Sequence, residues 1–320
     1  MSCNKKKLIF TTNAYEGHLK DLMSLDLASS LFERGNIKRK DFADGEHYGQ
    51  FDVSTTPITN RDVVIIGGTY TDEATMDVYD MACALGDLGA HRLFIVIPYF
   101  GYSTMERAVK EGEIVKAKTR ARLFSSIPIP GSGAKVILFD LHAECIANYF
   151  EGNMKAEHVQ GDEMLINMIT TLASTNVDPT DYVLASTDAG RAKKVELLAN
   201  KLHVQPSFVF KRRLDSGSTE VTATSAGVDG KHVIIYDDMI RTGGSLINAA
   251  KAYNDAGATR ISVVSTHGVF ALDAVQKLKD CGLIDVVYVT DSHPNALANE
   301  SEFIRVFKIA TVLADKIAKL

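Results

Sequence analysis

The stretch HVIIYDDMIRTGGSLINAA, residues 232–250, decides the fold. Val233-Ile234-Ile235-Tyr236 is a short apolar run rich in β-branched residues and reads as a buried strand. Asp237 and Asp238 close it, a loop of small residues follows, and helical spacing begins at Ser245 or Leu246. A continuous apolar strand feeding a helix is half of a parallel crossover, which needs a helix to return the chain. In open α/β sheets ligands bind at the carboxyl ends of the strands. Thr242-Gly243-Gly244-Ser245 supplies close backbone N–H groups, two hydroxyls and a helix N-terminus, which suit a phosphate group. Two adjacent carboxylates suit vicinal hydroxyls instead, each charge-assisted hydrogen bond contributing about 1.5–3 kcal/mol. A diol at one end and a phosphate at the other describe a sugar phosphate. An isolated Asp pair or Gly pair is an ordinary solvated turn, and only the ordered combination singles this segment out.

The same alternation runs along the whole chain. Strands are expected at 8–11, 63–66, 93–97, 136–139, 182–185, 233–236, 261–264 and 286–289, with helical spacing at 75–88, 114–124, 164–172, 192–202, 245–256 and 271–278. The fold class is α/β, with mainly parallel sheets flanked by helices. Residues 63–101 (VVIIGG, loop, helix, LGAHRLFIVIPYFG) and 233–270 (VIIYDD, loop, helix, AGATRISVVSTHGVF) share one plan in nearly the same register. Two tandem copies of one α/β domain follow, 1–155 and 156–320, with the seam within 149–161. The copies differ where chemistry sits: the first has Gly67-Gly68 where the second has the two acids, so the substrate site is expected mainly in the second. Residues 302–320 read as a closing helix able to pack back on the N-terminal domain. Met76, Tyr79 and Met81, at helical spacing, read as core.

Composition narrows the function. Lys plus Arg total 35 and Asp plus Glu 40, a net charge of -5, which argues against a dedicated nucleic-acid binder. With 46% hydrophobic and 23% charged residues the chain is an ordinary packed protein. Cys3, Cys83, Cys145 and Cys281 lie far apart without a CxxC pair, so neither a zinc ribbon nor a disulfide framework is expected, and a reducing, cytoplasmic setting fits. The apolar runs are too short for a signal segment or a membrane span. Gly230-Lys231 is followed by His232, so no Walker A motif forms, and no GxGxxG opens a helix.

Residues 237–245 resemble the phosphoribosyl-diphosphate (PRPP) loop of type I phosphoribosyltransferases, and the duplication and length resemble ribose-phosphate diphosphokinase, the PRPP synthetase family. The resemblance covers nearly the whole chain. Phe42-Ala43-Asp44-Gly45-Glu46 is similar to the family loop that reaches a neighbouring subunit's ATP, implying a homo-oligomer with a shared active site. Pro98-Tyr99-Phe100-Gly101-Tyr102 is similar to the segment before its ATP-phosphate residues, and Asp140-Leu141-His142 to its DLH, whose histidine meets the metal–ATP complex. Asp188 falls on a magnesium-associated acid, and Lys211-Arg212-Arg213 on the flexible catalytic loop.

Two departures matter. Thr104-Met105-Glu106-Arg107 keeps only the last arginine and an acid of the common Arg-Gln-Asp-Arg run, and Arg241 replaces a loop acid. Both are similar to the plant-type class II branch, as are Glu111-Gly112-Glu113, Ser126-Ile127-Pro128, residues 266–270 and Thr290-Asp291-Ser292. That likeness implies independence from phosphate activation, weak nucleotide feedback and a less strict nucleotide donor.

The resemblance implies Mg2+-dependent transfer of the diphosphoryl group of ATP to the anomeric hydroxyl of ribose 5-phosphate, giving PRPP and AMP. Asp237 and Asp238 then hold the ribose hydroxyls or their magnesium, and Arg241, Thr242, Gly243, Gly244 and Ser245 cradle the 5-phosphate. Lys211 and Arg213 stabilise the transferring group; Phe42, Asp44, Glu46, Arg107 and His142 serve ATP; His142 and Asp188 serve the metal. Simpler readings stand beside these: a solvated charge run for 211–213, a structural histidine at 142, a helix cap at 188. Two other functions remain open, a non-catalytic regulatory subunit or sugar-phosphate sensor, and a phosphoribosyltransferase that consumes PRPP.

Overall fold

The computed structural model describes residues 6–26, 28–174, 182–213, 219–224 and 227–320, with backbone alone between 210 and 226. The chain divides into two compact units, Met1–Gln160 with Lys308–Leu320, and Gly161–Phe307.

The first unit contains β1 (Lys7–Thr11), β2 (Phe32–Arg34), β3 (Ile37–Asp41), β4 (His47–Phe51), β5 (Asp62–Ile66), β6 (Arg92–Ile97), β7 (Ala134–Phe139) and β8 (Met154–Val159). Its helices are α1 (Glu16–Met23), α2 (Ala28–Leu31), α3 (Asp72–Asp87) and α4 (Lys116–Ser125). Six strands form one parallel sheet in the order β2-β1-β5-β6-β7-β8, while β3 and β4 pair as a separate antiparallel hairpin. The central strands are buried along nearly their whole length, as a sheet covered on both faces requires. Thr71 caps α3 by accepting from the Ala74 N–H, and Asp72 and Glu73 in its first turn complement the helix dipole. Val78, Met81, Ala82 and Leu85 form the buried face of α3. Met76, expected in the core, is 43% exposed, because it lies off that face.

The second unit contains β9 (Tyr182–Ser186), β10 (Gln205–Ser207), β11 (Val209–Arg213), β12 (Thr219–Thr224), β13 (His232–Ile240), β14 (Arg260–Gly268), β15 (Val286–Thr290) and β16 (Ile304–Phe307). Its helices are α5 (Asp162–Ser174), α6 (Ala192–Leu202), α7 (Gly244–Asp255), α8 (Ala274–Asp280) and α9 (Pro294–Ala298). The parallel sheet runs β10-β9-β13-β14-β15-β16, and β11 and β12 form the hairpin. Both units therefore place their sheet strands in the order second, first, third, fourth, fifth, sixth. Both also insert an antiparallel hairpin between the second and third. The repeat seen in the sequence is a repeat of topology.

The expected closing helix at 302–320 is two elements. β16 joins the second sheet, and α10 (Ala310–Ala318) packs on α1 in the first unit. Lys316 pairs with Glu157, and Arg92 donates to the Leu320 carbonyl oxygen at 3.1 Å.

β5 and β13 are the third strands of their sheets, so Gly67-Gly68 and Asp237-Asp238 occupy the same place in the two units. A Cβ on Gly67 would lie 2.6 Å from Val78 Cγ2, and one on Gly68 would lie 2.1 Å from the Tyr15 hydroxyl. Close packing fills the position that the second unit gives to its acids.

Candidate active site

β13 runs three residues past Asp237, so the two acids lie within the strand and not beyond its end. Its pairing with β9 stops at Tyr236 opposite Ser186, while pairing with β14 continues to Ile240 opposite Gly268. The acids thus sit where β13 has lost one neighbour, at the carboxyl edge of the sheet.

The loop after β13 is pinned from behind. The Phe270 N–H donates to the Ile240 carbonyl oxygen and the Ala271 N–H to that of Arg241, both at 2.9 Å. Gly243 caps α7 with φ at 79°, the left-handed region that favours glycine, and a Cβ there would press on Leu278 Cγ at 3.1 Å. The Ile247 N–H returns to the Gly243 carbonyl oxygen at 3.0 Å, closing the first turn of the helix. Arg241, Thr242, Gly244 and Ser245 are exposed. The result is an exposed loop at a helix N-terminus, whose free N–H groups are chemically suited to an anion.

Asp238 is 5% exposed in its side chain and Asp237 16%. Asp237 Oδ2 accepts from the Thr187 hydroxyl at 3.1 Å, and its Oδ1 accepts from the Asp238 N–H at 3.0 Å. The Arg191 guanidinium reaches both acids: Nη2 lies 2.9 Å from Asp238 Oδ1 and Nε 3.7 Å from Asp237 Oδ1. Burial and the neighbouring Asp238 charge push the Asp237 carboxyl well above its usual range, and Arg191 and Thr187 oppose that rise. Sequence reasoning missed both partners. One arginine among the lysines of 191–194 carries no signal until the fold sets it against the acids.

Asp188 caps the short 3-10 turn Ala189–Arg191, accepting from the Gly190 N–H at 2.9 Å. The helix-cap reading of this acid is therefore realised, and its second carboxylate oxygen takes no part in that cap. Lys211 and Arg213 lie on β11, opposite Val221 and Thr219 of β12, and β11 packs near the 189–191 turn. Their side chains lie outside the described residues.

In the first unit Phe42, Asp44 and Glu46 sit at the tip of the β3–β4 hairpin. The turn is closed by the Phe42 N–H to the Glu46 carbonyl oxygen at 2.8 Å and the Glu46 N–H to Asp44 Oδ1 at 3.1 Å. Below the tip, a cavity of about 520 Å³ lies between the hairpin and α3. His47 spans its edge, 2.8 Å from Asp41 and 3.2 Å from Glu73, and its hydrogen bond to Asp41 raises its pKa. Asp140 is buried and adopts φ of 43° just after β7. The Leu141 N–H donates to His158 Nε2 at 2.9 Å, fixing the backbone that carries His142. Arg107 is 77% exposed beside Glu106. Tyr102 donates to Asp72 at 2.8 Å, while the Lys116 ammonium lies 4.6 Å from its ring centroid and the Arg120 guanidinium 5.0 Å. These residues form a cationic surface on α4 that spacing did not reveal.

The comparisons agree with this architecture. Residues 9–127 match the model of the N-terminal domain of ribose phosphate pyrophosphokinase, and residues 219–320 match the phosphoribosyl synthetase-associated domain. The chain is 33% identical to a ribose-phosphate pyrophosphokinase of Haemophilus ducreyi over 309 residues, covering 92% of each chain. It is 30% identical to that of Thermotoga maritima over 286 residues, covering 87% of this chain and 85% of the relative. Ribose-phosphate pyrophosphokinase 1, chloroplastic, of Arabidopsis thaliana is 32% identical, over 92% of this chain and 69% of its own. The crystal structure of phosphoribosylpyrophosphate synthetase from Mycobacterium smegmatis superposes with a TM-score of 0.83 at 26% identity, covering 98% of both chains. With an acid pair shortly before a glycine-bearing helix N-terminus on one of two units of the same topology, and relatives matched over about nine-tenths of the chain, this chain belongs to the ribose-phosphate pyrophosphokinase family.

Proposed function

We propose that this chain transfers the diphosphoryl group of ATP to the anomeric hydroxyl of ribose 5-phosphate, forming PRPP and releasing AMP. The observation that carries the reading is the placement of two largely buried carboxylates, separated by four residues from the Gly243-Gly244 turn that opens a helix, with Arg241, Thr242, Gly244 and Ser245 exposed around it. One end of that arrangement takes a diol and the other an anion. Membership of the family supports the same assignment.

In the reaction the anomeric oxygen forms a bond to the β-phosphorus of ATP. The bond from that phosphorus to the oxygen bridging the α-phosphate breaks, AMP leaves with that oxygen, and the hydroxyl proton passes to water. Such a transfer needs positioning and charge neutralisation more than covalent help. Asp237 and Asp238 orient the ribose hydroxyls. Arg241, Thr242, Gly243, Gly244 and Ser245 hold the 5-phosphate, and Lys211 and Arg213 neutralise the moving diphosphoryl group. Phe42, Asp44, Glu46, Arg107 and His142 bind ATP. Mg2+ supplies further charge neutralisation on the phosphates, and His142 and Asp188 are the residues that would hold it. Asp188 fits that role, since its backbone cap uses one carboxylate oxygen and a hard cation takes few protein ligands beside phosphate oxygens.

The working form is a homo-oligomer in which the hairpin tip of one copy completes the ATP site of the next. Phe42 and Tyr48 on that hairpin are 43% and 44% exposed, which supports a tip that meets a partner or a base. No helix among the described residues is long and apolar enough to cross a membrane, and the scattered cysteines favour the cytoplasm. The class II likeness of residues 104–107 supports activity without inorganic phosphate. Phosphorus NMR on the purified protein with ATP, Mg2+ and ribose 5-phosphate, in phosphate-free buffer, tests the reaction and its independence of phosphate. AMP and PRPP rising together is the expected result. Silence with and without phosphate, and with other nucleoside triphosphates, would overturn the proposal in favour of a sensor or a PRPP-consuming transferase.

A further inference from the structure

The cavity of about 520 Å³ beneath the β3–β4 hairpin has two walls of unlike chemistry. Its volume suits a small organic molecule, for which sites run from about 300 to 1,000 Å³. None of the residues assigned above to ATP lines it. On the strand side Thr12 is 3% exposed, and its hydroxyl has no hydrogen-bond partner. Arg39 of β3 donates through Nη2 to the Thr11 carbonyl oxygen and meets Met81 Sδ at 3.4 Å, but its buried Nε has no partner either. Buried polar groups are nearly always paired, so two unpaired donors lining one cavity mark the place of an acceptor brought by a ligand.

α3 supplies the other wall. Asp77 and Asp80, three residues apart and so on one face of the helix, both line the cavity. Their side chains enter no hydrogen bond or ion pair among the described residues. The other two lining carboxylates, Asp41 and Glu73, are engaged by His47. Burial pushes the Asp77 carboxyl up, the Arg39 charge opposes that, and Asp80 adds to the rise. Burial and then the Glu73 and Asp77 charges push the Tyr70 phenol up as well, which marks a negative potential along this wall. An ammonium beside Asp77 and Asp80 would relieve that potential, whereas a carboxylate or phosphate would add to it. Phe51 and Met81 give apolar surface between the two walls.

We propose that this cavity binds a small organic cation: an amine whose charge meets Asp77 and Asp80, whose apolar body lies against Phe51 and Met81, and whose far end offers an oxygen to Arg39 Nε and the Thr12 hydroxyl. Such an occupant bridges the hairpin and α3. The site shares no residue with those assigned to ATP, ribose 5-phosphate or the metal.

Calorimetric titration of the full chain with tyramine, without sugar or nucleotide, tests it. Two molecules of nearly the same shape serve as comparators. One is 3-(4-hydroxyphenyl)propionate, which exchanges the ammonium for a carboxylate, and the other is 2-phenylethylamine, which lacks the hydroxyl. Wild type should bind tyramine at one site per chain, 2-phenylethylamine about threefold more weakly and the propionate at least about tenfold more weakly. Asp77→Asn should weaken tyramine about tenfold. Thr12→Val should bring tyramine to the level of 2-phenylethylamine and leave 2-phenylethylamine unchanged. Ala84→Phe, which fills the cavity without altering its charges, should abolish binding. No tyramine binding by wild type, equal affinity for the amine and the carboxylate, or undiminished binding by Ala84→Phe overturns the proposal. The three ligands on wild type decide the charge preference even where a variant folds poorly. With ATP and ribose 5-phosphate both absent, the result is independent of the diphosphoryl-transfer reading, which the phosphorus NMR experiment tests alone.

Discussion

The Tyr253 hydroxyl donates to the Ser186 carbonyl oxygen at 2.9 Å, joining α7 to the last residue of β9. Ser186 lies one residue before Thr187 and two before Asp188, and Tyr253 is fully buried on α7, the helix that begins at Gly244. One bond therefore couples the strand end that leads to the acids' partners to the helix that follows the 241–245 loop.

Replacing Tyr253 with Phe leaves a buried carbonyl short of its donor and should cost about 1–3 kcal/mol. Urea denaturation of the full chain would read the loss. The Michaelis constant for ribose 5-phosphate should rise with it, while turnover at saturation stays close to wild type.

The acid pair and the β11 lysine should separate kinetically. Asp238→Asn weakens a charge-assisted contact to the sugar, so KM for ribose 5-phosphate should rise about 10–100-fold. Lys211→Ala removes charge stabilisation that matters most during transfer, so kcat should fall about 100-fold or more with KM largely kept. Steady-state rates of both variants at wild-type values would sink these role assignments.

Asp162 opens α5 and pairs with both Lys194 and Lys201 of α6. Burial pushes its carboxyl up, but the two lysines outweigh that and hold it below its usual 3.8. Its contribution is therefore present above the ordinary value and lost as pH falls through the lower, folded one. Asp162→Asn should destabilise the protein at pH 7 by about 1–3 kcal/mol. The gap to wild type should close below pH 3.8 in denaturation curves taken across the range.

His232 begins β13, buried, with Nε2 3.0 Å from the Ser262 hydroxyl. Burial, helped by the Arg260 charge, lowers its pKa to about 4. The unfolded chain then binds the extra proton between pH 6.5 and about 4, so wild-type stability should decline as pH drops through that window. His232→Gln should flatten this part of the stability profile. Melting temperatures at pH 7, 6 and 5 are the readout, and parallel profiles for the two proteins would rule out this histidine as the cause.

The sequence made the strands legible where apolar β-branched residues run together, as in β5, β6 and β13, because burial on both faces demands that composition. The continuation of β13 to Ile240 was hidden, since Asp237 and Asp238 interrupt the run that marks a buried strand. The β3–β4 hairpin was hidden for the opposite reason. Ile37-Lys38-Arg39-Lys40-Asp41 is charged and mostly exposed, and only its pairing with 47–51 makes it a strand. At 302–320 helical spacing was read through a four-residue strand too short to announce itself. The loop at 241–245 was legible because glycine, hydroxyls and a helix start are local features. Arg191 was not, because its meaning depends on a residue 47 positions away being folded against it.

The glycines after β5 show what keeps the two halves different. Tyr15 and Val78 occupy the volume that side chains at 67 and 68 would need, so the first unit cannot acquire an acid pair by substitution at those positions alone. A carboxylate introduced there meets a buried aromatic hydroxyl and a core methyl before it meets any ligand. Making room there would take coordinated change at Tyr15, just before α1, at Val78 on α3 and at the strand end at once. The difference between the halves is thus held by packing: in the first unit, side chains at 67 and 68 have no room unless Tyr15 and Val78 change with them.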